Sequence, residues 1–382
     1  DQPDLWFDPS HCLIDGKWVA PPGGQSLPLQ NPSTGERIGS IARGSADDID
    51  AAVASARNAW QGAWGRTTAV ERGRALFRLR DLVLENVDRL ARIEASDVGK
   101  PLKQARADAV ALARYLEFYG GAADKLHGDT IPYLDGYTVY TLREAHGVTG
   151  HIVPWNYPMQ IIGRSVGAAL ATGNACVLKP AEDACLTALA FADLAIKAGL
   201  PAGALNVVPG LGGEAGAALT GHPGIRHISF TGSVATGVHV QAAAARNVVP
   251  VTLELGGKSP QLVFEDADLD AALPFLVNAG IQNAGQPCSA SSRILVHRSI
   301  HAALVGRMGE RYAALKVGPA LADLDVGPLI SERQQAIVSS YLDRGDDLDK
   351  AAQASLEDVP EAGSYVRPTL FSGVPPARTL AC

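Results

Sequence analysis

After Gly147 the sequence alternates between short apolar segments of strand length and longer segments with helical periodicity. Five apolar segments are rich in β-branched residues and bounded by Gly or Pro: 148–153, 175–179, 205–208, 227–230 and 251–255. A helical pattern such as 186–198, ended by Gly199 and Pro201, separates them. Strands that are apolar along their whole length are usually buried on both faces. The sequence therefore predicts a doubly wound α/β fold with a parallel sheet.

The segments outside this predicted sheet indicate how the chain is divided into domains. The first third is mostly helical, with one helix beginning at an N-cap Asp47 and a second running through 76–90. Residues 127–146 alternate Thr, Val and Tyr, which predicts a strand pair or an extended arm. A second alternation follows Gly256, with strands at 261–264 and 293–297 and helices at 269–279 and 300–315. We predict a first domain from 1–126 and 147–256, an arm at 127–146, and a second α/β domain at 257–382.

Charge and cysteine content exclude several classes of function. The 382 residues carry a net charge of −7, so there is no basic surplus to bind nucleic acid or an anionic membrane. Five cysteines without a C-x-x-C pair favour neither a disulfide framework nor a zinc site, and indicate a reducing, cytoplasmic setting. The N-terminus has no secretory signal pattern, and the most apolar stretch, 161–178, is interrupted by Arg164 and Asn174. We expect no membrane span and no metal.

Three residues are candidates for catalysis. Cys288 lies in a polar, glycine-containing loop just before a strand, where a thiol can act as nucleophile, although a lone cysteine is often a small buried hydrophobe. Glu254 lies within an apolar strand, and its burial there predicts a raised pKa suited to a general base; the alternative is an exposed strand-end carboxylate. Asn156, between a strand and a helix, can donate to an oxyanion or simply form a turn.

Three short motifs point to other functions. Ser165 fits the G-x-S-x-G pattern of serine hydrolases, but it falls inside a helical segment rather than directly after a strand. Residues 210–215 fit the G-x-G-x-x-A dinucleotide pattern, without an acidic residue about 20 positions later. Asp266, Asp268 and Asp270 imitate a calcium loop but lack its glycine and its bidentate glutamate, and are better interpreted as a helix N-terminus.

Taken together, the sequence closely resembles the aldehyde dehydrogenase superfamily from about Ile14 to the last residue. Five motifs occur in the family's order, and the spacing between Glu254 and Cys288 agrees as well. The motifs are 154–158 (Pro-Trp-Asn-Tyr-Pro), 179–182 (Lys-Pro-Ala-Glu), 230–233 (Phe-Thr-Gly-Ser), 254–258 (Glu-Leu-Gly-Gly-Lys) and 285–288 (Gly-Gln-Pro-Cys).

The resemblance implies NAD-dependent oxidation of an aldehyde to its carboxylic acid. Cys288 would attack the aldehyde, Asn156 and the Cys288 backbone N–H would hold the oxyanion, and Glu254 would activate the water that hydrolyses the thioester. Two alternatives stay open. A CoA-acylating relative would use the same nucleophile without this base, and a catalytically impaired chain would serve as a binding or structural protein.

The resemblance also implies an atypical Rossmann-like cofactor domain. Lys179 and Glu182 match positions that hold the adenosine ribose, and the carboxylate of Glu182 would repel a 2′-phosphate, so NAD is expected, with NADP as the alternative. The segment from Phe230 to Ser233 would place a helix N-terminus near the pyrophosphate. The cofactor candidates are Trp155, Lys179, Glu182, Gly212, Phe230, Thr231, Gly232, Ser233, Leu255 and Gly256.

For the substrate, the resemblance points to Tyr157 and Arg164 on the segment that lines the family's aldehyde tunnel. Arg164 would clamp the acidic tail of a semialdehyde, or is a solvated helix residue. The family's following Glu-Ile-Phe-Gly-Pro motif and its final strand, which pairs with a neighbouring subunit, are absent from this sequence. We therefore expect the second domain to be incomplete at its C-terminus, and a homodimer or homotetramer where that strand is present.

Overall fold

The computed structural model describes residues 3–357 and 359–381, so Cys382 lies outside the described residues. The helices are α1 (Ala46–Gln61), α2 (Ala69–Glu85), α3 (Val87–Val98), α4 (Leu102–Ala122), α5 (Pro158–Ala171), α6 (Leu186–Lys197), α7 (Ala217–Gly221), α8 (Val234–Ala245), α9 (Leu269–Ile281), α10 (His301–Ala313) and α11 (Glu332–Asp343). The strands are β1 (Cys12–Ile14), β2 (Lys17–Val19), β3 (Ser26–Gln30), β4 (Arg37–Ala42), β5 (Thr130–Ile131), β6 (Val139–Tyr140), β7 (Val148–Val153), β8 (Ala175–Pro180), β9 (Leu205–Val207), β10 (His227–Gly232), β11 (Val251–Leu255), β12 (Pro260–Val263), β13 (Arg293–Val296), β14 (Asp349–Gln353) and β15 (Thr369–Ser372).

The five apolar segments form the parallel part of a seven-stranded sheet, as the sequence predicts. The strand order is β11-β10-β7-β8-β9-β1-β2, in which β1 pairs with β9 and β2 pairs with β1, each in antiparallel orientation. Strands β1 and β2 are too short to be recognised from their pattern. Strand β10 extends two residues beyond the predicted end, because Thr231 and Gly232 pair with Glu254 and Leu255 of β11.

Helices pack on this sheet in two groups. Helices α5 and α6 contact β7, β8 and β9 and are backed by α2. Helix α1 contacts β7, β8, β9 and β1, and α8 contacts β10 and β11. The N-cap of α1 is Ser45 rather than the predicted Asp47, because Ser45 and Asp48 form a reciprocal capping box and Asp47 lies in the first turn. The predicted helix through 76–90 is two helices, since Asn86 caps the end of α2 and the start of α3.

The segment after Gly256 forms a second, smaller core. Parallel strands β12 and β13 and antiparallel strands β14 and β15 pack with α9 and α10. The largest buried cluster comprises side chains from Cys12 to Val249, and the second comprises side chains from Val263 to Tyr365. A small cluster of Val98, Ala184 and Ile330, with Trp155 packed against it, lies where the two regions meet.

Residues 127–146 form the predicted strand pair. Strands β5 and β6 are antiparallel, with Thr130 opposite Tyr140, and several large apolar side chains of this arm are exposed, among them Tyr133 and Tyr137. Within the described part of the chain, no helix has both the length and the apolar composition needed to cross a bilayer.

Candidate active site

A large cleft lies at the carboxyl ends of the parallel strands, where ligands bind in open α/β sheets. Its volume is about 980 Å³, and residues of both cores line it. Ten sequence-predicted site residues lie on its wall: Trp155, Asn156, Lys179, Glu182, Phe230, Thr231, Gly232, Ser233, Gly256 and Cys288. The fold therefore brings together residues that are up to 133 positions apart in the sequence, from Trp155 to Cys288.

Cys288 follows a tight turn after α9 and is exposed. The three other described cysteines, Cys12, Cys176 and Cys185, are buried. Burial raises the pKa of Cys12 and of Cys176 to about 12, and raises the pKa of Cys185 well above its ordinary value. Because the thiolate is the nucleophile, these three buried thiols are unsuited to attack a substrate.

Asn156 is tied to the Cys288 loop at two points. Its Nδ2 donates to the carbonyl oxygen of Gln286 at 2.7 Å, and its own carbonyl oxygen accepts from Nδ2 of Asn283 at 3.0 Å. An amide nitrogen carries two hydrogens, so one N–H of Asn156 is used by Gln286 and the second is available to a ligand.

The loop before Cys288 has an unusual backbone. Three successive residues, Asn283, Ala284 and Gly285, have φ of 46°, 54° and 76°. Asn and Gly tolerate the left-handed region, but for Ala284 it costs about 1–2 kcal/mol. The sequence shows the polar run 282–286, but nothing in it indicates this conformation or the contacts of Asn283 and Gln286.

Glu254 is exposed, so the predicted burial of this carboxylate is wrong. Strand β11 has a neighbouring strand on one side only, and its side chains alternate. Leu253 and Leu255 are partly buried, whereas Thr252 and Glu254 are exposed. The backbone that follows Glu254 nevertheless approaches the loop of Cys288. A Cβ built on Gly257, three residues after Glu254, would lie 4.0 Å from the carbonyl oxygen of Cys288.

On the cofactor side of the cleft, the buried Lys179 forms an ion pair of 2.9 Å with the half-buried Glu182. Burial alone would raise the pKa of Glu182, but the charge and hydrogen bond of Lys179, with a backbone N–H donated by Gly212, outweigh it and lower that pKa. Glu182 is therefore ionised at neutral pH. Gly212 reaches the site through this hydrogen bond, although it does not line the cleft.

Helix α8 begins at the cleft with Ser233 as its N-cap, whose Oγ accepts from the N–H of Thr236. A helix N-terminus with free N–H groups suits a phosphate. Leu255 packs beneath this helix rather than in the cleft: a Cβ on Gly237 would lie 2.8 Å from Cδ2 of Leu255. The ionised carboxylate, the helix N-terminus and the glycine-lined approach fit a dinucleotide such as NAD.

The two substrate candidates lie outside the cleft lining. Arg164 is exposed on α5. The pKa of Tyr119 on α4 is raised, mainly by burial, and the positive charge of Arg164 offsets only part of that increase. The ring of Tyr157 lies 3.7 Å from Nζ of Lys100, and burial raises the pKa of its hydroxyl to about 12. The sequence reasoning missed the buried cluster beneath this ring, in which Lys100 pairs with Glu94 at 2.9 Å and with Asp108.

The competing motifs have structural roles here. Ser165 lies within α5 and its Oγ donates to the carbonyl oxygen of Ile161, so it is not a nucleophile elbow. Asp268 caps α9 by accepting from the N–H groups of Asp270 and Ala271. Across residues 3–357 and 359–381, no group of three or more His, Cys, Asp or Glu side chains is arranged to hold a metal ion.

The chain is similar to known aldehyde dehydrogenases in both sequence and structure. The sequence model of the Aldehyde dehydrogenase family matches residues 18–382. The chain is 42% identical to the hydroxyisobutyraldehyde dehydrogenase of Mycolicibacterium austroafricanum, covering 96% of this chain and 73% of that protein. A solved structure from Burkholderia cenocepacia has 60% identity and a TM-score of 0.96, covering 97% of this chain and 79% of the other. The NAD⁺ complex of aldehyde dehydrogenase from Bacillus cereus has 38% identity and a TM-score of 0.95, covering 98% and 77%.

Proposed function

Because the chain belongs to the aldehyde dehydrogenase family, we propose that it oxidises an aldehyde to the carboxylic acid with NAD, through a covalent intermediate on Cys288. The observation that carries this proposal is the exposed thiol on a loop to which Asn156 is hydrogen-bonded, in a cleft that also holds the ionised Glu182 and the N-terminus of α8.

The residues act in a defined order. The Cys288 thiolate adds to the aldehyde carbon, so that an S–C bond forms and the carbonyl π pair moves to oxygen. The free N–H of Asn156 and the Cys288 backbone N–H hold this oxyanion. A bound nicotinamide would supply the hydride acceptor. As the C–H bond of the former aldehyde carbon breaks, the oxyanion pair re-forms the C=O bond and leaves a thioester on Cys288. The resulting thioester on Cys288 is attacked by water, whose proton passes to the carboxylate of Glu254, and the acid leaves with the thiolate restored.

The position of Glu254 supports its role as base. It lies three residues before Gly257, which is beside Cys288, and its exposure gives it access to water. A base that acts on water during hydrolysis needs that access. The same carboxylate favours water over CoA as the acyl acceptor.

The test is NADH formation with a panel of aldehydes. Cys288→Ala should abolish turnover and leave the affinity for NAD unchanged, because the thiol does not bind the cofactor. Glu254→Gln should still give one rapid equivalent of NADH per site and then stop, because acylation proceeds and hydrolysis does not. Cys176→Ala is the matched control, since that thiol is buried away from the cleft.

Each alternative function predicts a different result in these experiments. Steady turnover by Cys288→Ala would contradict the role of the nucleophile. Turnover that requires CoA would favour the acylating alternative, and NAD binding without turnover of any aldehyde would favour a binding protein. Within the panel, faster oxidation of succinic semialdehyde than of an uncharged aldehyde of similar length would support Arg164 as an anion clamp, and equal rates would contradict it.

A further inference from the structure

We propose that Gln104, Asn283 and Gln286 form a positioning network that holds the amide of Asn156 in the orientation that stabilises the oxyanion. This inference rests on the proposed function. It assigns a role to Gln104 and Asn283, which lie outside the five motifs of the sequence, and to the side chain of Gln286, which lies within the last of them. None of the three supplies a reacting atom; they act through Asn156.

Asn156 is held at both its main chain and its side chain. Asn283 donates to its carbonyl oxygen at 3.0 Å, and the carbonyl oxygen of Gln286 accepts from its Nδ2 at 2.7 Å. Both tethers come from the five residues that precede Cys288. The distance between nucleophile and oxyanion donor is therefore set by the conformation of one short loop.

That loop is fixed in turn from two sides of the molecule. Oε1 of Gln104, near the start of α4, accepts the backbone N–H of Asn283 at 2.8 Å. Gln286 donates from Nε2 to the carbonyl oxygen of Asn283 at 2.9 Å, and its Oε1 accepts the N–H of Ile330 at 3.1 Å. The two glutamine side chains thus anchor the loop between α4 and the wall of the second core.

The arrangement is unfavourable locally in two ways. Asn283 and Ala284 both have left-handed backbone conformations. Oδ1 of Asn283 is buried and has no hydrogen-bond partner, because the side chain directs its nitrogen to Asn156. Strained backbone and unsatisfied polar atoms persist only where the surroundings impose them, and they concentrate at functional sites. Both features here occur within five residues of the nucleophile.

The network determines which N–H of the Asn156 side chain remains free to donate to the oxyanion. One of its two N–H bonds is committed to Gln286, which fixes the direction of the other. When the thiolate adds to the carbonyl carbon and the π pair moves to oxygen, that second N–H meets the new negative charge without first having to rotate. Such preorganisation is a large source of rate enhancement.

The test removes Gln104, the glutamine anchor that does not line the cleft. Gln104→Leu deletes the acceptor of the Asn283 N–H, and Gln104→Glu keeps an acceptor oxygen there. We expect Gln104→Leu to lower kcat by about 10- to 100-fold, as misplacement of a catalytic group by about 1 Å does. The KM for NAD should stay unchanged, and Gln104→Glu should restore most of kcat.

Inhibition by a trifluoromethyl ketone tests the positioning role of Gln104 separately from the proposed oxidation of aldehydes. The thiolate adds to the ketone and forms the oxyanion, but no hydride can leave. We expect Gln104→Leu to weaken ketone inhibition by about the same factor as kcat. If the wild-type protein binds the ketone but oxidises no aldehyde, the proposed function alone is contradicted. If the wild type and Gln104→Leu bind the ketone with equal affinity, the positioning role alone is overturned.

The control is Asn86→Leu. Nδ2 of Asn86 donates one part-buried hydrogen bond, to Leu82, and Asn86 does not line the cleft. A loss of kcat in Asn86→Leu as large as that in Gln104→Leu would show general destabilisation and overturn the proposal.

Discussion

At the scale of single residues, the access of water and the sign of neighbouring charges give similar side chains different chemistry. The thiol of Cys288 is exposed, whereas burial raises the pKa of Cys176 to about 12. Glu182 and Asp183 are adjacent and both border the cleft, yet burial raises the pKa of Asp183, while Lys179 and backbone donors overcome burial and lower the pKa of Glu182. The pKa and reactivity of these side chains therefore depend more on their neighbours than on the residue type.

The first prediction concerns cofactor choice. Glu182→Gln removes the ionised carboxylate that would repel a 2′-phosphate on the adenosine ribose. We expect the ratio of kcat/KM with NADP to kcat/KM with NAD to rise by about tenfold or more, which corresponds to about 1.4 kcal/mol. The measurement is steady-state kinetics with both cofactors and one aldehyde.

Asp183→Asn is the control for that prediction. It removes a neighbouring carboxylate from the same cleft without touching the pair with Lys179. If both variants change the ratio equally, the effect comes from the overall charge of the cleft and not from Glu182.

At the scale of secondary-structure elements, helix ends are joined by buried polar groups. Asp97, at the end of α3, accepts the N–H of Leu186 at the start of α6 at 2.8 Å, and its other oxygen is buried without a partner. Burial, with a smaller contribution from Asp183, outweighs this hydrogen bond and raises the pKa of Asp97 to about 8. The carboxyl group is thus protonated near neutral pH in the folded protein.

This pKa predicts a pH-dependent stability. The pKa of Asp97 is higher in the folded state than its unfolded value of about 3.9, so its contribution is complete below about pH 4 and is lost as the pH rises towards 8. Asp97→Asn keeps an acceptor and does not titrate. Between pH 5 and pH 8, we expect the free energy of unfolding of the wild type to fall by a few kcal/mol, about 2–4, more than that of the variant.

Denaturant titration at the two pH values checks this. Asp47→Asn, an exposed carboxylate in the first turn of α1, is the matched control and should follow the wild type. Parallel pH dependence in the wild type and Asp97→Asn would contradict the prediction.

At the scale of the whole molecule, the cleft is shared between two cores. Its walls carry Lys179 and Phe230 from the first region and Cys288 and Arg333 from the second, and Val98, Ala184 and Ile330 pack where the regions meet. A ligand in the cleft therefore contacts both cores in the folded state only.

NAD should accordingly stabilise the whole chain. At a concentration 100 times its Kd, a ligand that binds only the folded state adds about 2.7 kcal/mol to the free energy of unfolding. We expect NAD to raise Tm in a concentration-dependent way in the wild type, and equally in Cys288→Ala because that variant keeps the cofactor side of the cleft. The absence of any shift at saturating NAD would contradict the assignment of the cleft.

The sequence by itself determined the five parallel strands of the sheet, the order of the five motifs and the exposed loop of Cys288, because periodicity and turn residues are local properties of the chain. Only the tertiary structure decided that Glu254 is exposed, since burial depends on whether another strand covers the edge of β11. It alone also showed Gln104 beside Asn283, and Lys100 between Glu94 and Asp108. Contacts between residues distant in sequence arise from packing, and no spacing along the chain encodes them.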